Sequence, residues 1–378
     1  MSIKKIILIA SGLAAIFILI LFKNQIIDFF SFEFGKKNNM IVVLSPVNPN
    51  IVRLSADPSN RLLMKVDVRD LNGRPIPLAQ VILSTSNNTG SFKQSKIFVD
   101  EDGSRFVEYE PPAYNADLFQ KINSEVKLTA KIKNSGKESS YTLKLDKTPL
   151  ILVHGYQSTG GIFDILKEYL ISKGFECTAI NYKSVNGVIP SSNELEGFML
   201  QQNLAYLSKG MQVGKFDVVA HSMGGLVAKY YSCSENYIKN NNIRKIIFMS
   251  VPQKGSPWAS LGLNYYKDQG IMDMAPDSDL LTKVFPDMIN KGLNKTIQSG
   301  SVIAQYDEVV SLESASLDEW GIKTEVFNVG GNNMTVDNIL TGNILETANH
   351  KNILNNKKVF ERVEEMLSTQ LPYPLAKK

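Results

Sequence analysis

The residues able to do chemistry gather around one serine. Ser222 lies in Val218-Val219-Ala220-His221-Ser222-Met223-Gly224-Gly225. Two β-branched residues lead in, and an apolar, helix-compatible run from Leu226 to Tyr231 leads out. A strand that must turn within one residue into a helix strains the backbone of the residue at its apex. Small residues two positions to either side let the chain fold back on itself. That is the nucleophile elbow, G-x-S-x-G, and Ser222 sits at its tip. Ala220 departs from the pattern by one methyl group. What the position requires is small size, which alanine meets.

A serine hydroxyl is a poor nucleophile without an adjacent base. The chain has 3 histidines, so the base follows by elimination. His221 precedes the serine, and its side chain is expected to leave on the other side of the turn. His154 ends a strand, and the loop after it offers backbone donors rather than a base. His350 remains, in Ala348-Asn349-His350-Lys351-Asn352-Ile353-Leu354, ahead of a closing helix. The acid should lie between serine and histidine in chain order. Asp307 follows the strand-compatible run Val302–Tyr306, so it falls on the sheet edge that carries the elbow. Glu308 should point away if strand alternation holds, and Asp318 and Glu319 are the alternatives further on. Preorganised N–H groups must receive the oxyanion of the intermediate. The Met223 N–H is one donor, and the Tyr156 N–H, in His154-Gly155-Tyr156, is the other. Gly160 and Gly161 give that loop room.

Composition narrows the class. The chain has 378 residues, 43% hydrophobic and 21% charged, which is a folding globular composition. Its net charge of +4 comes from 41 basic and 37 acidic residues without a basic stripe, so nucleic acid is not an expected partner. The 2 cysteines, Cys177 and Cys233, match no metal-ligand spacing and no redox motif. No metal or cofactor is expected.

Four segments make up the chain that positions these residues. Residues 1–23 carry Lys4 and Lys5 and then Ile6–Phe22, 17 residues without charge. That reaches the lower end of the roughly 17–25 residues that span a bilayer, and no small-x-small cleavage site follows it. An uncleaved transmembrane signal anchor is expected, with the bulk of the chain outside the cell membrane. Secretion after signal cleavage is the alternative. Residues 24–61, with Pro46, Pro49 and Pro58, read as a linker with one strand at Met40–Leu44. Residues 62–147 alternate with period two in Met64–Arg69 and turn at Asn72-Gly73 and Asp102-Gly103. Strands at this spacing indicate an all-β sandwich. Residues 148–378 alternate apolar strands with helices, which implies a mainly parallel sheet covered on both faces. Within them, 255–300 leave the sheet pattern and read as a cap rich in Met and aromatic residues.

Two resemblances follow from these motifs. The stretch from Val66-Asp67-Val68-Arg69-Asp70 through Asp100-Glu101-Asp102-Gly103 resembles bacterial Ig-like domains of invasin-type surface proteins. From Thr148 on, Leu150-Ile151-Leu152-Val153-His154-Gly155-Tyr156, the Ala220–Gly225 elbow, Val251-Pro252-Gln253-Lys254-Gly255-Ser256, Asp307-Glu308-Val309-Val310 and Asn349-His350 resemble α/β-hydrolases of the lipase/esterase kind, a group that includes small bacterial lipases and inositol-deacylase-like proteins. One departure is that Gln253 stands where such lipases often carry histidine. The resemblance implies the α/β-hydrolase fold and a lipase/esterase that cleaves acyl esters or lipids. Ser222, Asp307 and His350 are then its triad, and Tyr156 and Met223 its oxyanion donors. The alternative is a surface interaction or adhesion protein whose hydrolase fold is inactive.

Overall fold

The computed structural model describes residues 39–133, 135–288, 296–331 and 348–375. The anchor expected at Ile6–Phe22 lies outside the described residues. Among the described residues no helix is long and apolar enough to cross a membrane. The chain divides into two compact units. Of the described residues, the first takes 39–49 with Leu62–Tyr109 and Val126–Thr142. The second takes Asn50–Arg61, Glu110–Glu125 and Leu143–Lys378.

The first unit is built of strands. Strand β1 (Met40–Pro46) pairs antiparallel with β3 (Leu62–Asp70), which pairs antiparallel with β7 (Ser104–Glu110). Strand β4 (Gln80–Thr85) pairs with β6 (Lys96–Phe98) and β8 (Glu125–Ile132), again antiparallel. Burial follows the period-two rule of a pleated strand. In β3, Leu62, Met64, Val66 and Val68 are buried while the residues between them are at least partly exposed. Tyr109 is buried and its hydroxyl donates to the Thr89 carbonyl at 3.1 Å.

The second unit is organised by a sheet with six strands among the described residues. Its strands are β10 (Leu150–Val153), β11 (Cys177–Ala179), β13 (Phe216–His221), β14 (Ile243–Met249), β15 (Gln298–Ala304) and β16 (Thr324–Phe327). They lie in the order β11-β10-β13-β14-β15-β16, and every pair is parallel. Both faces are covered, so the central strands are apolar without interruption rather than alternating. Ile151, Val218, Ile246 and Phe248 face one core with α2 (Val188–Ser208) and α3 (Met223–Cys233). Leu152, Val219, Ile247 and Val302 face the other with α1 (Asp164–Ser172) and α7 (Lys357–Ser368). β11 has three residues and lies at the edge of the sheet, paired with β10.

Two buried charges fix the base of the sheet. The Asp217 carboxylate, on β13, is fully buried. It accepts from Arg244 on β14, with Nε at 2.8 Å and a second contact from Nη2. Lys245 Nζ crosses to the end of α7 and donates to the carbonyls of Met366 and Leu367, both at 2.9 Å. Burial pulls the Lys245 ammonium down to about 8, with Asp217 opposing. Asp217→Ala leaves the Arg244 guanidinium buried without its partner, which costs about 3–5 kcal/mol. Urea unfolding should show that loss as a lower midpoint.

Candidate active site

The serine sits where the sequence places the strain. Ser222 has φ 52° and ψ −131°, between the end of β13 and the first turn of α3. Few non-glycine residues hold a positive φ, and such strain collects at functional sites. The turn is possible because the residues two and three positions on, Gly224 and Gly225, have no side chain. A Cβ on Gly224 would come within 2.4 Å of the Val153 and His154 carbonyls, and one on Gly225 within 2.2 Å of Val251 Cγ2. Gly155, after β10, is equally constrained, since a Cβ there would lie 2.8 Å from Ser222 Cβ and 3.3 Å from its Oγ. Gly155, the residue before Tyr156, is therefore packed closely against the serine side chain. Met223 opens α3 immediately after the serine. The structure thus puts both expected oxyanion donors on segments that flank Ser222.

Asp307 and His350 are brought together. His350 Nδ1 lies 3.0 Å from both carboxylate oxygens of Asp307. Asp307 Oδ1 also accepts from the N–H groups of Val309 at 3.0 Å and Val310 at 2.8 Å. Burial pushes this carboxyl up. The charge and hydrogen bond of His350, with the Val310 N–H, more than offset that, and it rests below the ordinary aspartate range. An ionised acid makes His350 Nδ1 the donor and leaves Nε2 free to accept a proton. Asp318 and Glu319 form a separate short 3-10 turn, where Asp318 Oδ1 accepts from the Thr324 N–H at 3.4 Å.

Two expectations are corrected here. Glu308 does not simply point away, because its Oε2 accepts from the backbone N–H of His350 at 3.1 Å. β15 ends at Ala304, so strand alternation no longer governs residue 308. His221 does not leave the site either. Its Nε2 lies 2.8 Å from the His350 carbonyl, with the two rings 4.6 Å apart. Burial is the main cause that drives the His221 imidazole down to about 3.

His154 is fully buried and stacked on Tyr182 at 4.2 Å. Its Nε2 accepts from the Tyr182 N–H at 3.3 Å, so Nδ1 carries the proton and donates to the Gly155 carbonyl at 2.8 Å. Burial lowers this imidazole as well.

The expected cap contains α4 (Pro257–Gly262) and α5 (Gln269–Asp273). It docks on the loops around the serine. The Tyr156 hydroxyl donates to Asp268 Oδ2 at 2.5 Å, and Asp273 Oδ2 accepts from the Val188 N–H at 2.7 Å. Trp258, Leu261, Tyr265 and Tyr266 remain exposed on it. Gln253, which departs from the lipase motif, is buried and accepts from Lys229 Nζ at 3.3 Å. Among the described residues no cluster of His, Cys, Asp or Glu could hold a metal ion.

A family model described as "alpha/beta hydrolase fold" matches residues 148–299. With the parallel sheet and the strand–elbow–helix turn, it gives the second unit the α/β-hydrolase fold. Several solved structures are similar. Bacillus licheniformis lipase BlEst2 in its propeptide form has 14% identity and a TM-score of 0.44, over 61% of this chain and 52% of that one. Phospholipase PlaB from Legionella pneumophila has 14% identity and a TM-score of 0.44, over 59% of this chain and 60% of that one. Aspergillus fumigatus lipase B has 18% identity and a TM-score of 0.39, over 60% of this chain and 54% of that one. The chain thus spans about half the length of the BlEst2 propeptide form it matches.

Two outcomes follow from the geometry. Gly224→Ala sets a methyl group against two carbonyls of the β10 end, 2.4 Å away. It should destabilise by about 1–3 kcal/mol, as overpacking does, and a thermal melt reads the loss. Acid stability carries a definite sign. Burial lowers both His154 and His221 in the fold, His221 to about 3, whereas an unfolded histidine protonates near pH 6.5. The unfolded chain then binds more protons, so stability is complete above about pH 6.5 and falls as pH drops toward 3. His221→Gln should flatten that fall by about one proton, or about 1.4 kcal/mol per pH unit. Chemical denaturation at stepped pH measures it.

Proposed function

We propose that the second unit is a serine hydrolase of the lipase/esterase type that cleaves carboxylic ester bonds of acyl or lipid substrates. The observations that carry the proposal are the buried Asp307 carboxylate on His350 Nδ1 and, at the end of β13, a serine held at positive φ. Asp307 fixes the tautomer, so His350 Nε2 takes the Ser222 proton as Oγ attacks the ester carbonyl. The oxyanion that forms is received by the backbone N–H groups of Met223 and Tyr156. Collapse expels the alcohol, which takes a proton from His350, and leaves an acyl group on Ser222. Water, deprotonated by His350, then releases the acid and restores the serine. No step requires a metal or a cofactor.

The exposed aromatic and aliphatic residues of the cap, Trp258, Leu261 and Tyr265 among them, support an apolar acyl chain as substrate. The uncharged run Ile6–Phe22 supports a single-pass membrane anchor with the catalytic unit outside the cytoplasm. The full chain should then sediment with membranes and resist carbonate extraction. Recovery of a mature N-terminus just beyond Phe22 would instead mean a cleaved signal.

The triad is tested by substitution. Ser222→Ala should abolish fluorophosphonate labelling and ester hydrolysis with the fold intact. Turnover within about tenfold of the parent would contradict the assignment, since losing a triad member costs orders of magnitude. Asp307→Asn keeps the shape but favours the wrong tautomer, and should lower kcat by at least about 10². Asp318→Asn should stay within about threefold, because that side chain serves a different turn.

A further inference from the structure

His350 is held at three points, and two of them lie outside the triad. Its ring is held by Asp307, its backbone N–H by Glu308 Oε2 and its backbone carbonyl by His221 Nε2. Each backbone holder is the chain neighbour of a triad member, since Glu308 follows Asp307 and His221 precedes Ser222. The base is therefore bolted at its main chain to both segments between which it must move a proton.

We propose that Glu308 and His221 are positioning residues that clamp the main chain of His350 between the acid loop and the nucleophile elbow. The proposal rests on the hydrolase reading above and adds two residues to it. Asp307 alone fixes one ring nitrogen and leaves the ring free to swing about that contact. Fixing Nε2 against Ser222 also requires the Cα of His350 to stay put. His350 sits in α6 (Asn349–Asn352), a single short turn that cannot do so by its own hydrogen bonds. The two clamps supply what the short helix lacks.

The chemistry of each clamp suits its end. A backbone N–H needs an acceptor, and Glu308 presents a carboxylate oxygen. A carbonyl needs a donor, so His221 must carry its proton on Nε2. That tautomer leaves His221 neutral, which suits a group whose ring lies 4.6 Å from a base that becomes cationic during turnover. A protonated lysine or arginine at residue 221 would hold the same carbonyl but oppose the imidazolium. Burial keeps His221 neutral across the working pH range.

The test compares removal with replacement by glutamine, which keeps the needed atom at each site. Glu308→Gln retains an acceptor oxygen, and His221→Gln retains a donor nitrogen about where Nε2 stood. The parent, Glu308→Ala, Glu308→Gln, His221→Leu and His221→Gln are assayed for kcat and KM on a p-nitrophenyl ester. The rate of Ser222 labelling by a fluorophosphonate is measured alongside, with thermal melts to confirm folding. Each removal should lower kcat and the labelling rate by about tenfold or more with KM within about twofold, since small misplacements of reacting groups cost that much. Each glutamine variant should recover most of the loss. Should His221→Leu fail to fold, the Glu308 pair alone decides.

A parent that is not labelled at Ser222 overturns the hydrolase reading itself. A labelled parent with undiminished Glu308→Ala and His221→Leu overturns the clamp alone. The clamp is equally overturned if Glu308→Gln is as slow as Glu308→Ala, because the carboxylate would then act by charge and not by holding the N–H.

Discussion

The site depends on one carboxylate taken out of water and set against an imidazole. Burying Asp307 opposes its ionisation, and the His350 Nδ1 contact at 3.0 Å with backbone N–H groups of Val309 and Val310 restores it. A buried charge needs such partners, or it neutralises. Because the partners are fixed, so is the direction of the hydrogen bond, and with it the nitrogen that His350 offers. The rest of the second unit can be understood as what keeps these two groups and Ser222 in register. β13, β14 and β15 are neighbouring parallel strands, so their C-terminal ends open onto one edge. Ser222, Ser250 and the Gln305–Asp307 segment follow those ends.

Strain and glycine act together at that edge. Ser222 holds φ 52° only because Gly224 and Gly225 let α3 press against the end of β10 and against Val251. Gly155 brings the loop after β10 to the serine from the other side. His154 then locks that loop, donating to the Gly155 carbonyl while Tyr182 holds its other nitrogen. A trans peptide points its carbonyl and N–H in opposite directions. Fixing the Gly155 carbonyl therefore also fixes the N–H of Tyr156. All 3 histidines of the chain thus lie at this edge, and burial lowers the pKa of two of them, His154 and His221.

Much of this was legible in the sequence because it is local. The β13–elbow–α3 turn is encoded by small residues at fixed offsets from Ser222, and β10 by four consecutive apolar residues before His154-Gly155. The alternation of strand and helix after Thr148 marked a sheet covered on both faces. What the sequence withheld depends on where strands stop and what the fold then brings near. The run Val302–Tyr306 read as strand, yet β15 stops at Ala304, and the turn that follows swings Glu308 onto the His350 backbone. His221 was expected to leave the turn, but a positive φ at the next residue and the approach of α6 place its ring beside His350. No period in the sequence encodes a contact between residues 221 and 350. The count of histidines was the one available hint. The grouping of Asn50–Arg61 and Glu110–Glu125 with the second unit is likewise invisible in local pattern.

The central claim is that Asp307 holds a proton on His350 Nδ1, and proton NMR observes that proton itself. A proton shared between a buried carboxylate and an imidazole is shielded from exchange and resonates far downfield of the amide envelope. One such resonance is expected in the parent protein, assigned to His350 by its loss in His350→Gln. It should persist in Ser222→Ala and vanish in Asp307→Ala. Absence of the resonance from the folded parent, or its survival in Asp307→Ala, would contradict the account.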